Sequence, residues 1–160
     1  MIGWIARLLE GGDPALGEAR PADAAALSSL HAASFHRGWS EDEMERLLLD
    51  PHVLAHRAAF GAKIAGFILS RLVADEAEIL SVAVAHHRRG RGLARELLDL
   101  HLRRLAGLGA RTVFLEVDQD NSSARRLYAR AGFHEVGRRD GYYQNAGGEA
   151  SAALVLRRDL

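Results

Sequence analysis

Hydrophobic and polar residues follow two spacings along this chain, and the spacing predicts which segments form helices. Over residues 21–35, apolar positions recur at helical spacing behind a proline suited to a first turn. Ser40 and Glu43 then have the spacing of a helix-capping box, in which each side chain bonds the other residue's backbone N–H. The apolar positions after them indicate a second helix that ends near Pro51.

The rest of the chain alternates between strand-like runs and helical segments. Six runs are apolar or β-branched and are bounded by turn residues, so we predict strands over residues 52–60, 63–72, 76–85, 112–117, 133–139 and 152–156. Gly61 marks a hairpin between the first two strands, and residues 141–148 form a loop between the last two. Helices are predicted at about 92–105 and at 123–131, the second ended by Gly132 in the left-handed conformation. This order indicates an α/β domain whose central sheet is covered by helices.

The first residues precede this pattern and form a segment of their own. Four apolar residues would line one face of a short helix: Ile2, Ile5, Leu8 and Leu9. Glycine, aspartate and proline at positions 11–14 then end the segment. We therefore predict an N-terminal extension over residues 1–18 that docks on a single domain over residues 19–160. Contact with a membrane or with a partner is the alternative for the extension.

Composition narrows the classes of function. The 160 residues are 48% hydrophobic and 26% charged, and their formal net charge of zero argues against a dedicated nucleic-acid-binding protein. The absence of cysteine excludes disulfides, thiolate zinc sites and a cysteine nucleophile, and it fits the reducing cytoplasm, where we expect the protein to act. No apolar run approaches the roughly 20 residues that span a bilayer. Composition does not indicate an oligomeric state.

One short segment carries a chemical signal. Residues 86–98 read HHRRGRGLARELL, a basic run with two glycines between a predicted buried strand and a predicted helix. It lacks the third glycine of a dinucleotide fingerprint, where Arg95 stands, and the Gly-Lys-Ser/Thr of a Walker A loop. Because the first amides of a helix have no partner within the helix and attract anions, the segment predicts an anion site, with Gly92 allowing close backbone approach. An arginine-rich surface turn, or a nucleic-acid-binding patch over residues 88–95, is the alternative.

Motifs in both halves of the chain resemble one enzyme family. The spacing Arg89-x-x-Gly92-x-Ala94 resembles the pyrophosphate loop, Gln/Arg-x-x-Gly-x-Gly/Ala, of the GCN5-related N-acetyltransferases (GNATs). The later residues that resemble this family are Phe114-Leu115-Glu116-Val117, Asn121, Ala124, Leu127-Tyr128 and Gly132-Phe133. Further residues narrow the resemblance to the RimI-type ribosomal-protein-alanine N-acetyltransferases, namely Trp39-Ser40, Asp75-Glu76-Ala77 and Tyr142-Tyr143. The resemblance covers about residues 19–156 and implies a GNAT fold, with a mixed central sheet of about six to seven strands flanked by helices on both faces.

The resemblance implies acetyl-CoA as the co-substrate and no metal. The contacts, mostly from the backbone, would fall on the end of a strand and on the loop after it: Val82, Ala83, Val84, Arg89, Gly90, Arg91, Gly92, Leu93, Ala94 and Arg95. Asn121 would also meet the cofactor, although it equally suits the N-cap of the helix that follows. His52 and His56 have a metal-like spacing, but no carboxylate motif accompanies them.

Acetyl transfer to an amine needs a base for the amine and a proton for the departing thiolate. The resemblance implies that Glu116 is the base, acting directly or through a water, and that Tyr128 is the acid. Burial between Leu115 and Val117 would raise the pKa of Glu116 toward that of an α-amino group, about 7.7–8.0. The alternative for Glu116 is an outward-facing glutamate paired with an arginine. A phenol with a reference pKa of about 10 suits the acid role, and packing against the sheet is the other role open to Tyr128.

The acceptor implied by the resemblance is the N-terminal α-amine of a protein, first of all a ribosomal protein with an exposed alanine. Two stretches near the expected entry of the acceptor depart from the family, namely the acidic residues 118–120 and the segment 147–150, which has no acidic residue after Glu149. Tyr142 and Tyr143 would shape this groove or pack at a sheet edge. Alternatives are an enzyme for lysine side chains or small amines, and a cofactor sensor without catalysis. We expect neither a membrane nor a nucleic acid as a partner.

Overall fold

The computed structural model describes residues 12–144 and 147–160 of the chain. Its strands are β1 (Ala15–Glu18), β2 (Val53–Phe60), β3 (Lys63–Val73), β4 (Glu76–Val84), β5 (Thr112–Asp118), β6 (His134–Gln144) and β7 (Ala150–Asp159). The α-helices of the described residues are α1 (Ala24–Ser34), α2 (Glu41–Leu49), α3 (Leu93–Gly107) and α4 (Ser122–Arg130). Two short 3-10 helices, Pro21–Asp23 and His86–Arg88, precede α1 and follow β4. The chain is therefore a mixed α/β protein, as its sequence predicts.

The strands form one mixed sheet in the order β1-β2-β3-β4-β5-β7-β6. β4 runs parallel to β5, with Glu76–Ile79 paired to Thr112–Leu115. A parallel pair needs a long crossover connection, and α3 lies in the chain between these two strands. The pairs β1–β2, β5–β7 and β6–β7 are antiparallel. Seven strands confirm the predicted mixed sheet of about six to seven.

The described residues group into two compact units, each with its own buried residues. Unit 1 comprises the described part of the chain up to Leu69 together with Ser81–His101, and unit 2 comprises Ser70–Leu80 and Leu102–Leu160. Fully buried side chains of unit 1 include Leu27, Met44, Phe67, Leu97 and Leu98. Those of unit 2 include Leu105, Val113, Leu115 and Leu154. The single domain expected over residues 19–160 stays a prediction.

The helix signals of the sequence are confirmed. The Glu43 amide donates to the Ser40 hydroxyl at 3.1 Å, and the Ser40 amide donates to the Glu43 carboxylate at 2.8 Å, which closes the predicted capping box at the start of α2. Gly132 follows α4 with a φ of +89°, the left-handed conformation expected where this helix stops. Capping is local chemistry, so a short sequence window is enough to locate it.

The N-terminal segment differs from the expectation in one respect. Residues 15–18, which were assigned to the extension, form strand β1 and pair antiparallel with residues 56–59 of β2. A run of four residues with a glycine carries little strand signal of its own, and its partner on β2 stabilises it. The helical face expected at Ile2, Ile5, Leu8 and Leu9 lies outside the described residues.

β6 extends further than its pattern predicts. It continues to Gln144, whereas the sequence predicts an end at Arg139 and a loop from residue 141. The register of β6 on β7 shifts between Arg139 and Tyr143, and Gly141 lies within this irregularity with a φ of +66°. A bulge of this kind interrupts the alternation of side chains without ending the strand. The sequence prediction mistook this interruption for the end of the strand.

The helices of the described residues are short. The longest α-helix among them has 15 residues, and no helix among them is both long and apolar enough to cross a bilayer.

Candidate functional site

The glycine-containing loop of unit 1 leads from β4 into α3. After Val84 the chain passes through the 3-10 helix His86–Arg88 and then through Gly90 and Gly92, whose φ angles are +75° and +83°. Only glycine adopts such angles without strain. The left-handed glycines therefore turn the chain sharply between the strand and the helix.

The loop places the first turn of α3 at the surface. The Gly92 carbonyl accepts the hydrogen bond from the Glu96 amide at 3.0 Å, so Gly92 is the residue from which the helix starts. The amides of Leu93, Ala94 and Arg95 consequently have no carbonyl one turn before them in the helix, and the helix dipole adds positive potential there. Leu93 is buried and anchors this turn, while Gly90 and Gly92 are exposed. Backbone amides at this position can receive an anion such as a pyrophosphate.

Arg89 and Arg95 donate hydrogen bonds to groups of the protein. The Arg89 guanidinium donates to the Val84 carbonyl at 3.0 Å and to the Ser34 hydroxyl at 3.2 Å. The Arg95 guanidinium donates to both carboxylate oxygens of Asp99, at 3.0 and 3.2 Å. Arg89 thus ties the loop to the end of β4 and to the end of α1. The Ser34 contact has no signature in the sequence, because 55 residues separate the two partners.

A shallow groove lies beside the loop in unit 1. Its lining includes Phe60, Arg88, Arg91, Leu93 and Glu96. The Arg88 guanidinium lies over the Phe60 ring, 3.7 Å from the ring centroid, in a cation–π contact. Sequence reasoning missed Phe60, because its position at the end of a strand is typical of a core residue.

The backbone before the loop was expected to meet the cofactor. Ala83 and Val84 are buried, and Val82 is partly buried. The pairing of β4 with β5 covers four residues and ends at Ile79, although β4 continues to Val84. The cofactor contact of these residues stays a prediction.

Glu116 lies in unit 2 on β5. The neighbouring Leu115 and Val117 are buried, and the side chain of Glu116 is 25% exposed. Its carboxylate accepts a hydrogen bond from the guanidinium of Arg139 on β6, and the two side chains form an ion pair. The arginine partner matches the alternative that the sequence left open for this glutamate, and it is compatible with a base that exchanges partners during the reaction.

Tyr128 lies in unit 2 on α4 and is 7% exposed. Its ring meets Phe133 edge to face, with centroids 5.7 Å apart. Burial disfavours the phenolate and raises the pKa of Tyr128 to about 12. The phenol therefore keeps its proton throughout the neutral range.

Asn121 caps α4. Its side-chain oxygen accepts a hydrogen bond from the Ala124 amide at 3.2 Å, and Ser123 adds a longer contact at 3.4 Å. The N-cap role that the sequence allowed is therefore confirmed, and the contact with a cofactor stays a prediction.

Other polar side chains that the sequence associated with the acceptor also lie on unit 2. Asp118 accepts hydrogen bonds from the Ser151 hydroxyl at 2.7 Å and from the Asp120 amide at 2.9 Å. Tyr143 is half-buried, and its pKa is raised first by burial and then by the charge of Glu116. Tyr142 is 53% exposed and meets Tyr143 edge to face. The acidic stretch and the tyrosines that the sequence associated with the acceptor thus lie on the same unit as the expected base.

The two histidines with metal-like spacing lie in different environments. His52 is exposed and contacts Asp50 at 3.3 Å, whereas His56 is buried in unit 1 with its Nδ1 atom 2.7 Å from Nδ1 of His101. No group of three or more metal-ligating side chains occurs among residues 12–144 and 147–160.

The sequence is similar to those of known acetyltransferases. Residues 24–133 match the acetyltransferase (GNAT) family. The [ribosomal protein bS18]-alanine N-acetyltransferase of Haemophilus influenzae is 36% identical over 94 residues, which are 59% of this chain and 64% of that protein. The N-alpha-acetyltransferase RimI of Mycobacterium tuberculosis is 33% identical over 150 residues, covering 90% of this chain and 91% of that protein. The alignment with the Haemophilus protein thus covers less than two thirds of that relative's length.

A solved structure extends the comparison to the fold. The ribosomal-protein-S18-alanine N-acetyltransferase of Escherichia coli superposes with a TM-score of 0.85 at 26% identity, covering 91% of this chain and 93% of that chain. The chain belongs to the acetyltransferase (GNAT) family. Within that family, the similarity to two proteins named as ribosomal-protein-alanine N-acetyltransferases and to one named RimI confirms the RimI-type resemblance.

Proposed function

We propose that this chain transfers the acetyl group of acetyl-CoA directly to the N-terminal α-amine of a protein, with an alanine of a ribosomal protein as the first candidate acceptor. The observation that carries the proposal is the pair of ionisable groups in unit 2. A buried Tyr128 holds its proton with a pKa of about 12, and a half-buried Glu116 presents a carboxylate. The relatives named as ribosomal-protein-alanine N-acetyltransferases support the choice of acceptor.

The loop of unit 1 fits the phosphates of such a co-substrate. Gly90 and Gly92 are exposed and left-handed, and a Cβ atom at either position would meet nothing within 4 Å, so the space above the backbone is open. The amides at the start of α3 supply donors for the pyrophosphate. We assign cofactor binding to this loop and to the strand end at residues 82–84, with Arg89 holding the loop in place.

The chain's own groups would manage the protons. When bound, acetyl-CoA supplies an acetyl group activated as a thioester. Glu116 would take one proton from the acceptor's ammonium, which leaves the nitrogen lone pair free to form the C–N bond. Tyr128 would give its proton to the sulfur as the C–S bond breaks, and the second nitrogen proton would restore the phenol. The products are an amide, a thiol and one proton released to solvent.

A peptide experiment tests the proposal. Purified protein is incubated with acetyl-CoA and peptides that begin with free alanine, serine or methionine, together with matched peptides that have a blocked N-terminus and a free lysine. We expect intact-mass analysis to find one added acetyl group, first on the alanine peptide. Labelling of the blocked peptides would assign a lysine acetylase instead, and no labelling in the presence of bound acetyl-CoA would point to a small amine. A ribosomal-protein acceptor would place the reaction in the cytoplasm.

A further inference from the structure

Glu116 and Arg139 lie on the same face of unit 2, with one strand between them. Glu116 of β5 is opposite Val155 of β7, and Arg139 of β6 is opposite Ala153 of β7. Residues directly opposite in an antiparallel pair share a face, and so do residues two apart along one strand. The Arg139 side chain therefore reaches across β7 to donate its hydrogen bond to Glu116.

This ion pair is accessible to solvent. The side chain of Arg139 is 57% exposed, and that of Glu116 is 25% exposed. Pairs of this kind are screened by water and hold their partners weakly. A cation that brought additional contacts of its own would therefore exchange with the guanidinium at little cost.

Asp118, another carboxylate on this face, has different partners. Asp118 is opposite Ala153 as well, and its carboxylate accepts hydrogen bonds from the Ser151 hydroxyl and the Asp120 amide, both of which are neutral donors. Of these two carboxylates, Glu116 is thus the one whose observed partner is an exposed cation.

We propose that Arg139 occupies the place beside Glu116 that the acceptor's ammonium takes, so that acceptor binding exchanges one cation for another. The inference rests on the proposed function and deepens it, because it defines the acceptor class. The acceptor must carry a positively charged amine, since a neutral group would leave Glu116 without a cation. Arg139 is then a residue that sets acceptor affinity and selectivity by competition.

Replacement of the arginine separates competition from positioning. Arg139→Gln removes the competing charge, and we expect the dissociation constant and the KM of an alanine-starting peptide to fall about 2- to 5-fold, the range of a surface ion pair. Arg139→Lys keeps a cation and should restore values near those of the original protein. If Arg139 instead orients Glu116, kcat falls in Arg139→Gln while KM and affinity stay unchanged, which would overturn the inference.

Arg138 provides a matched control. It is the neighbouring residue on β6, it is opposite Leu154, and it pairs with Asp140 and Gln119 rather than with Glu116. Arg138→Gln should therefore leave the dissociation constant of the peptide unchanged. An equal fall in both variants would mean a general charge effect and would contradict the exchange.

A binding measurement distinguishes this inference from the proposed function. Titration calorimetry with coenzyme A present compares a peptide that has a free N-terminal alanine with its desamino analogue, which lacks the ammonium. Tighter binding of the free peptide alone in Arg139→Gln supports the exchange even if no acetyl group is transferred. Equal affinities of the free peptide for Arg139→Gln and the original protein overturn it, even if transfer is rapid.

Discussion

Glu116 emerges between two buried residues of β5, Leu115 and Val117, so its side chain occupies the exposed position of an alternating strand. The sequence shows this alternation, and together with the Leu-Glu-Val motif it is enough to identify Glu116 as a candidate. The sequence does not predict that Arg139 is its partner. Arg139 lies 23 residues further along, and its position beside Glu116 depends on the register of two strand pairs and on the bulges of β6.

Loss of the carboxylate should lower turnover without removing the cofactor. For Glu116→Gln we expect kcat to fall about 100-fold or more, because the amide cannot accept the acceptor's proton. Steady-state kinetics measure the loss, and calorimetry with acetyl-CoA should give an affinity close to that of the original protein. Glu135→Gln, at an exposed position of β6, is the matched control and should turn over normally. A large loss of acetyl-CoA affinity in Glu116→Gln would contradict the assignment.

Removal of one hydroxyl tests Tyr128. In Tyr128→Phe the ring keeps its contact with Phe133, so the thermal unfolding temperature should change little. Turnover should nevertheless fall about 100-fold or more, because the thiolate loses its proton donor. Near-normal turnover would leave Tyr128 as a packing residue, which is the other role that its burial allows.

At the scale of elements, the turn between β4 and α3 depends on two left-handed glycines. The sequence predicted the strand, the loop and the helix, because glycine and the change in hydrophobic spacing are local signals. It did not predict that Arg89 would bond the Val84 carbonyl and the Ser34 hydroxyl. Arginines in such a loop suggested contacts with a ligand, whereas in the structure Arg89 and Arg95 bond groups of the protein itself.

A branched residue at Gly92 should disable this turn. In Gly92→Val, the φ of +83° costs about 1–2 kcal/mol for any L-residue and more for a β-branched one, although space for the side chain is open. We expect the rise in unfolding temperature that saturating acetyl-CoA gives the original protein to be largely lost. Gly107→Ala, at the end of α3 where φ is ordinary and space is also open, is the control and should keep that rise. An unchanged rise in Gly92→Val would exclude the loop from cofactor binding.

At the scale of the whole molecule, the fold class and six of the seven described strands followed from the order of hydrophobic runs, whereas β1 and the pairing of the strands did not. β1 and the extension of β6 were missed for related reasons. Strand β1 is stabilised by its pairing with β2. Strand β6 continues past a bulge that interrupts the alternation of its side chains. Both features depend on residues distant in the chain, and a local window does not contain them.

The buried histidine pair of unit 1 predicts a pH dependence of stability. Burial, followed by the charge of His56, lowers the pKa of His101 from 6.5 to about 3. The unfolded chain therefore binds a proton below pH 6.5 that the folded chain excludes. As the pH is lowered from 6.5 to about 3, the free energy of unfolding should therefore fall by about 1.4 kcal/mol per pH unit. Above pH 6.5 neither state binds this proton, so His101 does not make stability depend on pH there.

Urea unfolding at pH 7.5 and pH 5 measures this dependence. The decrease in the free energy of unfolding should be smaller in His101→Gln, which removes the excluded proton. His134→Gln, at an exposed position of β6, should keep the decrease of the original protein. Equal decreases in all three proteins would mean that His101 is not the group responsible.

The pairing of β1 with β2 has a practical consequence for shortened versions of this protein. A cut at residue 19, where the hydrophobic pattern places the start of the domain, would strip β2 of its outer neighbour. That bared edge comes from a strand in which most residues are buried, and uncovered strand edges recruit other chains into aggregates. Fragments made for crystallisation or spectroscopy should therefore begin before Ala15, so that residues 15–18 still cover the edge of β2.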